Sequence, residues 1–219
     1  MWHFKWLARI APKKFDDLGI NEAQCKIDIK VSGHNYELEI LNPVNNDKKL
    51  FVLDIDWTLI NDDGTLRPYV HEMLERAYRN YNIILWSGRD KFPHVHIFDH
   101  PSYNFVAFLN RRTILPVNTL KNGTLEVKPL EYIWNKLPNF SRRNTVMLDD
   151  TWYSYALNRQ SGMSTNRENQ STTDGGELKR VSDYLEFIAT LDNFALLHHN
   201  DWQTNLNKIY NRVESFASI

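Results

Sequence analysis

Only one of the 219 residues, Cys25, is a cysteine, so no disulfide can form within the chain. A single thiol fits a reducing, intracellular setting. An excess of either charge is missing too: 26 Lys and Arg stand against 27 Asp and Glu, a net charge of −1. The basic residues occur as scattered pairs, Lys13-Lys14, Arg111-Arg112, Arg142-Arg143 and Lys179-Arg180. Without a basic tract there is no electrostatic footprint for direct nucleic-acid binding. No apolar run approaches the roughly 20 residues of a membrane span, so no membrane partner is expected. The stretch from Met1 to Phe15 mixes aromatics with Lys and Arg and lacks the apolar core of a secretory signal. It reads as a helix packed on the domain rather than an interfacial segment. Internal repeats are absent as well.

What is present suits one α/β domain with a small appendage, long enough to bury a full core without staples. Aromatics make up 13% of the residues, which argues against global disorder. Residues 1–24 read as an N-terminal segment. From Lys26 to Leu41 apolar residues alternate around Ser32-Gly33-His34-Asn35, the pattern of a hairpin. With the Asn42 to Asp47 loop it makes a hairpin and linker over residues 25–46. Residues 47–219 are the main domain. Four strands are expected in it: Leu50 to Ile55, Asn82 to Trp86, Asn104 to Leu109 and Asn144 to Leu148. A helix is expected over Arg67 to Tyr81, with Pro68 in its first turn and Val70, Leu74, Ala77 and Tyr81 on one face. Pro129 opens a second helix through Trp134. Two amphipathic helices follow, one carrying Leu178, Val181, Leu185, Ile188 and Leu191, the other Trp202, Leu206, Ile209, Val213 and Phe216; both stripes read as core packing. Asn166 to Gly176 is polar and reads as a loop. Strands alternating with helices predict a central parallel sheet flanked by helices, with small insertions and no large cap.

The chemistry-bearing residues gather where apolar runs stop. Leu50-Phe51-Val52-Leu53 runs straight into Asp54-Ile55-Asp56-Trp57-Thr58. Carboxylates at the end of a buried strand are costly unless a cation or substrate meets them, and strand ends are where α/β sheets bind ligands. Asp54 can attack phosphorus and Asp56 can serve as acid and then base. Alone, Asp-x-Asp reads more often as a loop cap or a solvated acid pair. Ser87, after Asn82 to Trp86, offers a hydroxyl for phosphoryl oxygens, and Gly88 allows close backbone approach; alone, Ser87 is an ordinary turn residue. Lys128, before Pro129, can neutralise a phosphate and the attacking carboxylate, against the ordinary reading of a surface lysine. Asn144 to Leu148 again runs into acids, Asp149 and Asp150, suited to a metal site. Four such elements in this order are more specific than any one. Trp57 should point away from the carboxylates and pack. His94, His96 and His100 lack a full zinc set and read as loop residues.

The ordered set Asp54-x-Asp56-x-Thr58, Ser87, Lys128 and Asp149-Asp150 resembles the haloacid-dehalogenase superfamily of Mg²⁺-dependent phosphatases, and within it the FCP/SCP-type phosphatases. Further stretches carry the likeness: Glu39 to Pro43, Arg67-Pro68-Tyr69, Val127 to Leu130 and Leu191 to Phe194. They point to the branch whose members carry an N-terminal ubiquitin-like domain. The resemblance implies a Rossmann-like fold and a protein serine/threonine phosphatase working through an aspartyl-phosphate. It places the nucleophile on Asp54, the acid/base on Asp56, a supporting role on Thr58 and phosphate binding on Ser87, Gly88 and Lys128. Mg²⁺ falls to Asp54, Asp56 (through its backbone carbonyl), Asp149 and Asp150. The implied substrate is phosphoserine in the RNA polymerase II C-terminal domain or in a nuclear complex such as the proteasome, with a nuclear location. The ubiquitin-like domain is not in this sequence, so proteasome docking is not expected. The chain also departs from the family at Gly88-Arg89, where Ala-Thr is usual, and in shorter segments at Asn61 to Leu66 and Lys91 to Tyr103. Two other readings stay open: a catalytically weak phosphoprotein-binding paralogue, and a small-molecule phosphatase of the same superfamily.

Overall fold

The structure is a computed structural model that describes Leu18, Ile20, Cys25 and residues 38–91, 98–166 and 176–217. Most of the expected N-terminal segment, most of the 26–41 hairpin, most of the 166–176 loop, and His94 and His96 lie outside these residues. Strand β1 (Lys49–Leu53) is the centre of the sheet. It pairs in parallel with β2 (Tyr81–Trp86) on one side and β6 (Thr145–Asp149) on the other. β3 (Ala107–Leu109) extends the sheet beyond β2, and β7 (Gly162–Ser164) beyond β6, both in parallel. The order is β3-β2-β1-β6-β7, so the chain changes direction across the sheet between β1 and β6. That is the place where an open α/β sheet offers a crevice to ligands.

The central strands are mostly apolar because both of their faces are covered. Phe51 and Leu53 face a layer made by α1 (Val70–Ala77), α3 (Glu177–Ala189) and α4 (Trp202–Ala217), through Val70, Met73, Leu74, Val181, Leu185 and Trp202. Leu50 and Val52 point the other way, as the period-two pleat requires. They meet α2 (Glu131–Lys136) and an antiparallel hairpin, β4 (Leu115–Thr119) with β5 (Gly123–Val127). Leu18, Cys25 and Leu38 join this second layer.

Three expectations need correction. The helix expected over Arg67 to Tyr81 is shorter, Val70–Ala77, and Tyr81 begins β2. The Tyr81 ring keeps the helical phase by coincidence of spacing; its hydroxyl donates to the Leu185 carbonyl at 2.7 Å across the core. Pro68 lies ahead of the helix, since Tyr69 intervenes as N-cap in the left-handed region at φ 66. The β4–β5 hairpin and β7 were not expected at all. The two C-terminal helices were, and Leu178, Val181, Leu185 and Ile188 are buried as their spacing requires. Nothing is described of the Val213 and Phe216 side chains.

His199 is fully buried where a short turn leads into α4, with its Nδ1 sharing a hydrogen bond of 2.9 Å with the Tyr184 hydroxyl of α3. Burial, with His198 adding to it, pushes its pKa down to about 3. The unfolded chain, with an ordinary value near ~6.5, then binds a proton that the folded chain refuses. This contribution is complete above the unfolded value and is lost as pH falls toward the folded one. Between pH 7 and pH 4 it should cost the wild type about 3 kcal/mol that a His199→Leu variant does not lose. Urea denaturation of both proteins across that range checks it; parallel pH dependences would refute the assignment.

Candidate active site

Three neighbouring strands deliver the acids and the hydroxyl. Asp54 follows β1, and its N–H still donates to Leu148 across to β6 at 2.9 Å, so sheet pairing holds it. Asp149 is the last residue of β6. Ser87 follows β2, with its N–H on the Leu109 carbonyl at 3.0 Å. Asp54, Asp149 and Ser87 are all buried. Lys128 reaches them from the far layer, just past β5, where its N–H donates to the Ser154 carbonyl at 2.7 Å.

The Lys128 ammonium, only 4% exposed, sits between the strand ends. It donates to Asp54 Oδ1 at 2.6 Å, to Asp149 Oδ2 at 2.7 Å and to the Trp86 carbonyl at 2.9 Å. All three of its protons are therefore used. Burial alone would lower its pKa, but Asp149 and Asp54 outweigh burial and hold it above the usual lysine range. The acids respond in the opposite sense. Burial, with Asp149 and Asp150 adding to it and Lys128 opposing, pushes the Asp54 carboxyl up to about 7. Burial likewise raises Asp149 against the pull of Lys128.

One oxygen from each of Asp54, Asp149 and Asp150 lies within 4.8 Å of the others. Asp54 Oδ2 is buried with no hydrogen-bond partner. Three carboxylates against one ammonium, with one oxygen unpaired, leave the cluster short of positive charge. A hard divalent cation suits such an all-oxygen donor set. Asp56 stands apart: its carboxylate turns to Ser87, whose hydroxyl donates to Oδ2 at 3.0 Å, and to Arg89, whose Nε pairs with Oδ1 at 2.7 Å. The Asp56 side chain is thus not part of the acidic cluster.

The loop between the two acids and α1 is a tight turn. The Ile55 carbonyl accepts from the N–H groups of Thr58, Leu59 and Ile60, and Trp57 is left-handed at φ 64. Thr58 is buried and its hydroxyl accepts the Asp150 N–H at 3.1 Å, tying the first motif to the last. Trp57 lies on the wall of a cleft of about 230 Å³ over the acids, with Arg89, Ile114, Glu126 and Tyr153 on the rim. A Cβ on Gly88 would meet nothing closer than Ile114 at 3.9 Å, so no crowding within the chain requires glycine there.

Sequence reasoning missed two groups that hold the site. Arg67 donates to the carbonyls of Trp57 at 3.1 Å and Thr58 at 3.2 Å, and pairs with buried Glu177 at 2.9 Å. Arg89, next to Ser87, was visible only as a departure from the family pattern. Among the described residues the acidic cluster is the only group of three His, Cys, Asp or Glu placed to share an ion. His100 instead packs on Tyr103, with ring centroids 5.0 Å apart.

The profile of the NLI interacting factor-like phosphatase family matches residues 42–195. Ubiquitin-like domain-containing CTD phosphatase 1 of Danio rerio is 35% identical over 200 residues, covering 81% of this chain and 61% of that protein. The Homo sapiens protein of the same name is 34% identical over 190 residues, 79% of this chain and 60% of its own length. The chain thus spans about 60% of the length of the curated relatives it matches. The family match runs from ahead of β1 to beyond α3 and takes in every residue of the acid, hydroxyl and lysine cluster, so this chain belongs to the NLI interacting factor-like phosphatases.

Proposed function

We propose that the chain is a Mg²⁺-dependent protein serine/threonine phosphatase that works through an aspartyl-phosphate on Asp54. The observation that carries this reading is the state of Asp54: one oxygen is tied to Lys128, and the other is buried beside Asp149 and Asp150 without a partner. Such a carboxylate is held in place yet has an oxygen free to react. Residues 47–219 form the phosphatase domain in this reading, with residues 25–46 as its linker.

Asp54 attacks the phosphorus and the bond from phosphorus to the seryl oxygen breaks, while Asp56 gives that oxygen a proton. Asp56 then takes a proton from water as the water attacks the phosphorus. The bond to Asp54 breaks, inorganic phosphate leaves, and both acids return to their starting state. Ser87 and Lys128 hold the phosphoryl oxygens; to do so Lys128 must release one of its three acceptors, and Ser87 must turn its one proton away from Asp56. Gly88, which follows Ser87 and lines the cleft, would offer its backbone to those oxygens without a side chain in the way. Thr58 keeps Asp150 in register with the loop that carries Asp56. Asp54, Asp149, Asp150 and the backbone carbonyl of Asp56 would hold Mg²⁺, which would supply positive charge against that developing on the phosphoryl group.

The relatives are named as CTD phosphatases. We carry over phosphoserine in the RNA polymerase II C-terminal domain as the substrate class, with a nuclear location. The cleft supports a protein substrate through its openness, because a bound peptide itself excludes water from it.

Phosphate release from a phosphoserine heptad peptide should require Mg²⁺, stop on chelation and return on adding the ion back. Asp54→Asn should lower turnover at least about a thousandfold. Binding of the phosphopeptide without any turnover by the wild type would overturn the reading in favour of a binding paralogue. Faster turnover of sugar or nucleotide phosphates would reassign the substrate to small molecules.

The acidic cluster makes a separate, activity-free prediction. At about 100 times its Kd, Mg²⁺ should stabilise the fold by about 2.7 kcal/mol. For a chain of this size that raises Tm by roughly 5–10 °C. Asp149→Asn should abolish most of this rise in a thermal melt. An equal rise in both proteins would place the ion elsewhere.

A further inference from the structure

Among the described residues, Arg89 is the one charged group on the cleft rim that touches the proposed acid/base. Its Nε lies 2.7 Å from Asp56 Oδ1, and its own backbone N–H donates to Ser87 Oγ at 3.0 Å. The Ser87 hydroxyl donates in turn to Asp56 Oδ2 at 3.0 Å. The three residues close a ring. The Arg89 backbone occupies an acceptor position on Ser87 and leaves the hydroxyl proton aimed at one Asp56 oxygen, while the Arg89 side chain holds the other. When Ser87 turns its one proton to a phosphoryl oxygen, Arg89 remains as the brace on the carboxylate.

The Arg89 backbone is pinned as well. Its carbonyl accepts the Arg111 N–H at 3.0 Å, and the Arg111 side chain donates to the Gly88 carbonyl at 3.4 Å and pairs with Glu126 across the rim. A guanidinium on a fixed backbone is suited to orient its partner, since its planar donors lose little freedom on binding. Its side chain is half exposed, at 52%, so it lies at the mouth of the cleft rather than in the core.

Resting on the phosphatase reading above, we infer that Arg89 is a positioning residue that sets the plane of the Asp56 carboxylate for proton transfer to the leaving oxygen. A proton donor works only within hydrogen-bond reach and along the right direction, so loss of its brace costs rate without removing the acid. The cost falls on substrates whose leaving oxygen needs the proton. A ligand for the phosphoryl group would act differently, because that group is common to every substrate.

The test compares two small aryl phosphates of nearly the same shape, p-nitrophenyl phosphate and phenyl phosphate, in saturating Mg²⁺. Nitrophenolate departs readily without a proton; phenolate needs it more. The quantity read is the ratio of their kcat/KM values, which reports steps up to departure of the alcohol. Arg89→Ala should widen that ratio about tenfold beyond the wild type, and Arg89→Lys should restore part of it. Unchanged melting of both variants separates this from a loss of fold, and a structural defect alone would lower both rates without moving the ratio. Equal losses on both substrates would overturn the inference and make Arg89 a phosphate ligand. No loss on either would overturn it too. Wild type that turns over neither compound would overturn the phosphatase reading and the inference with it, a result distinct from the other two.

Discussion

A buried ammonium between two strand ends is the constraint on which the rest of the site depends. Lys128 is out of water, and so are Asp54 and Asp149. Each of these charges would cost several kcal/mol to bury alone, and removing one partner of such a set costs about 3–5 kcal/mol. They are tolerable only together. The β4–β5 hairpin has its place for this reason: it lies on the far face of the sheet and ends at Val127, so that Lys128 enters the gap between β1 and β6 from the side opposite α1, α3 and α4. The lysine is enough to hold the acids in place and too little to neutralise them. Burial holds the Asp54 carboxyl above the ordinary carboxylate range against the pull of Lys128. A positive charge added beside the cluster would favour its ionised form.

A second device fixes the loop between the acids. Trp57 at φ 64 is an unusual conformation for a bulky side chain, and it needs surrounding structure to maintain it. The Arg67 guanidinium supplies that by gripping the carbonyls of Trp57 and Thr58 from inside the core. Glu177 at the start of α3 balances the charge, and its carboxylate also accepts the Asn166 N–H beyond β7. The helical layer thus does more than cover the sheet. The first residue of α3 anchors the strained turn that points Asp56 at Ser87, so packing of α3 and the geometry of Asp56 belong to one network.

How much of this could be read in the chain follows from the range of each interaction. The strand ends were legible because burial on both faces demands an unbroken apolar run, and an acid directly after such a run has little structural excuse. That logic finds Asp54 after Leu53 and Asp149 after Leu148, and with Ser87 and Lys128 in order it reaches the family now shown by the match over residues 42–195. The β4–β5 hairpin had a signal, Asn122-Gly123 between alternating residues, with Gly123 at φ 65 as such a turn requires. β7 had almost none: three residues beginning with Gly162, where a Cβ would lie 2.0 Å from the Tyr155 ring. Arg67 and Glu177 are 110 positions apart, and no local pattern ties them. The false extension of α1 to Tyr81 shows the converse. An i+4 step fits a helix, but Tyr81 reaches the same core as Val70, Leu74 and Ala77 from the start of a strand.

Substrate choice, in this architecture, is separated from chemistry by depth. The groups proposed to form and break bonds rise from β1, β2 and β6 and are mostly buried. The rim is built from other elements: Trp57 from the strained turn, Arg89 from the loop after β2, Ile114 and Glu126 from around the hairpin, and Tyr153 from the turn after β6. Changes at these positions alter what the cleft meets without disturbing the lysine–carboxylate set beneath. Arg89 is the exception that joins the two levels, since it stands on the rim and yet touches Asp56. A residue so placed links the orientation of the acid/base to whatever occupies the mouth of the cleft. A peptide carrying its own negative charge there would compete with Asp56 for the guanidinium, whereas a neutral flank would leave the brace intact.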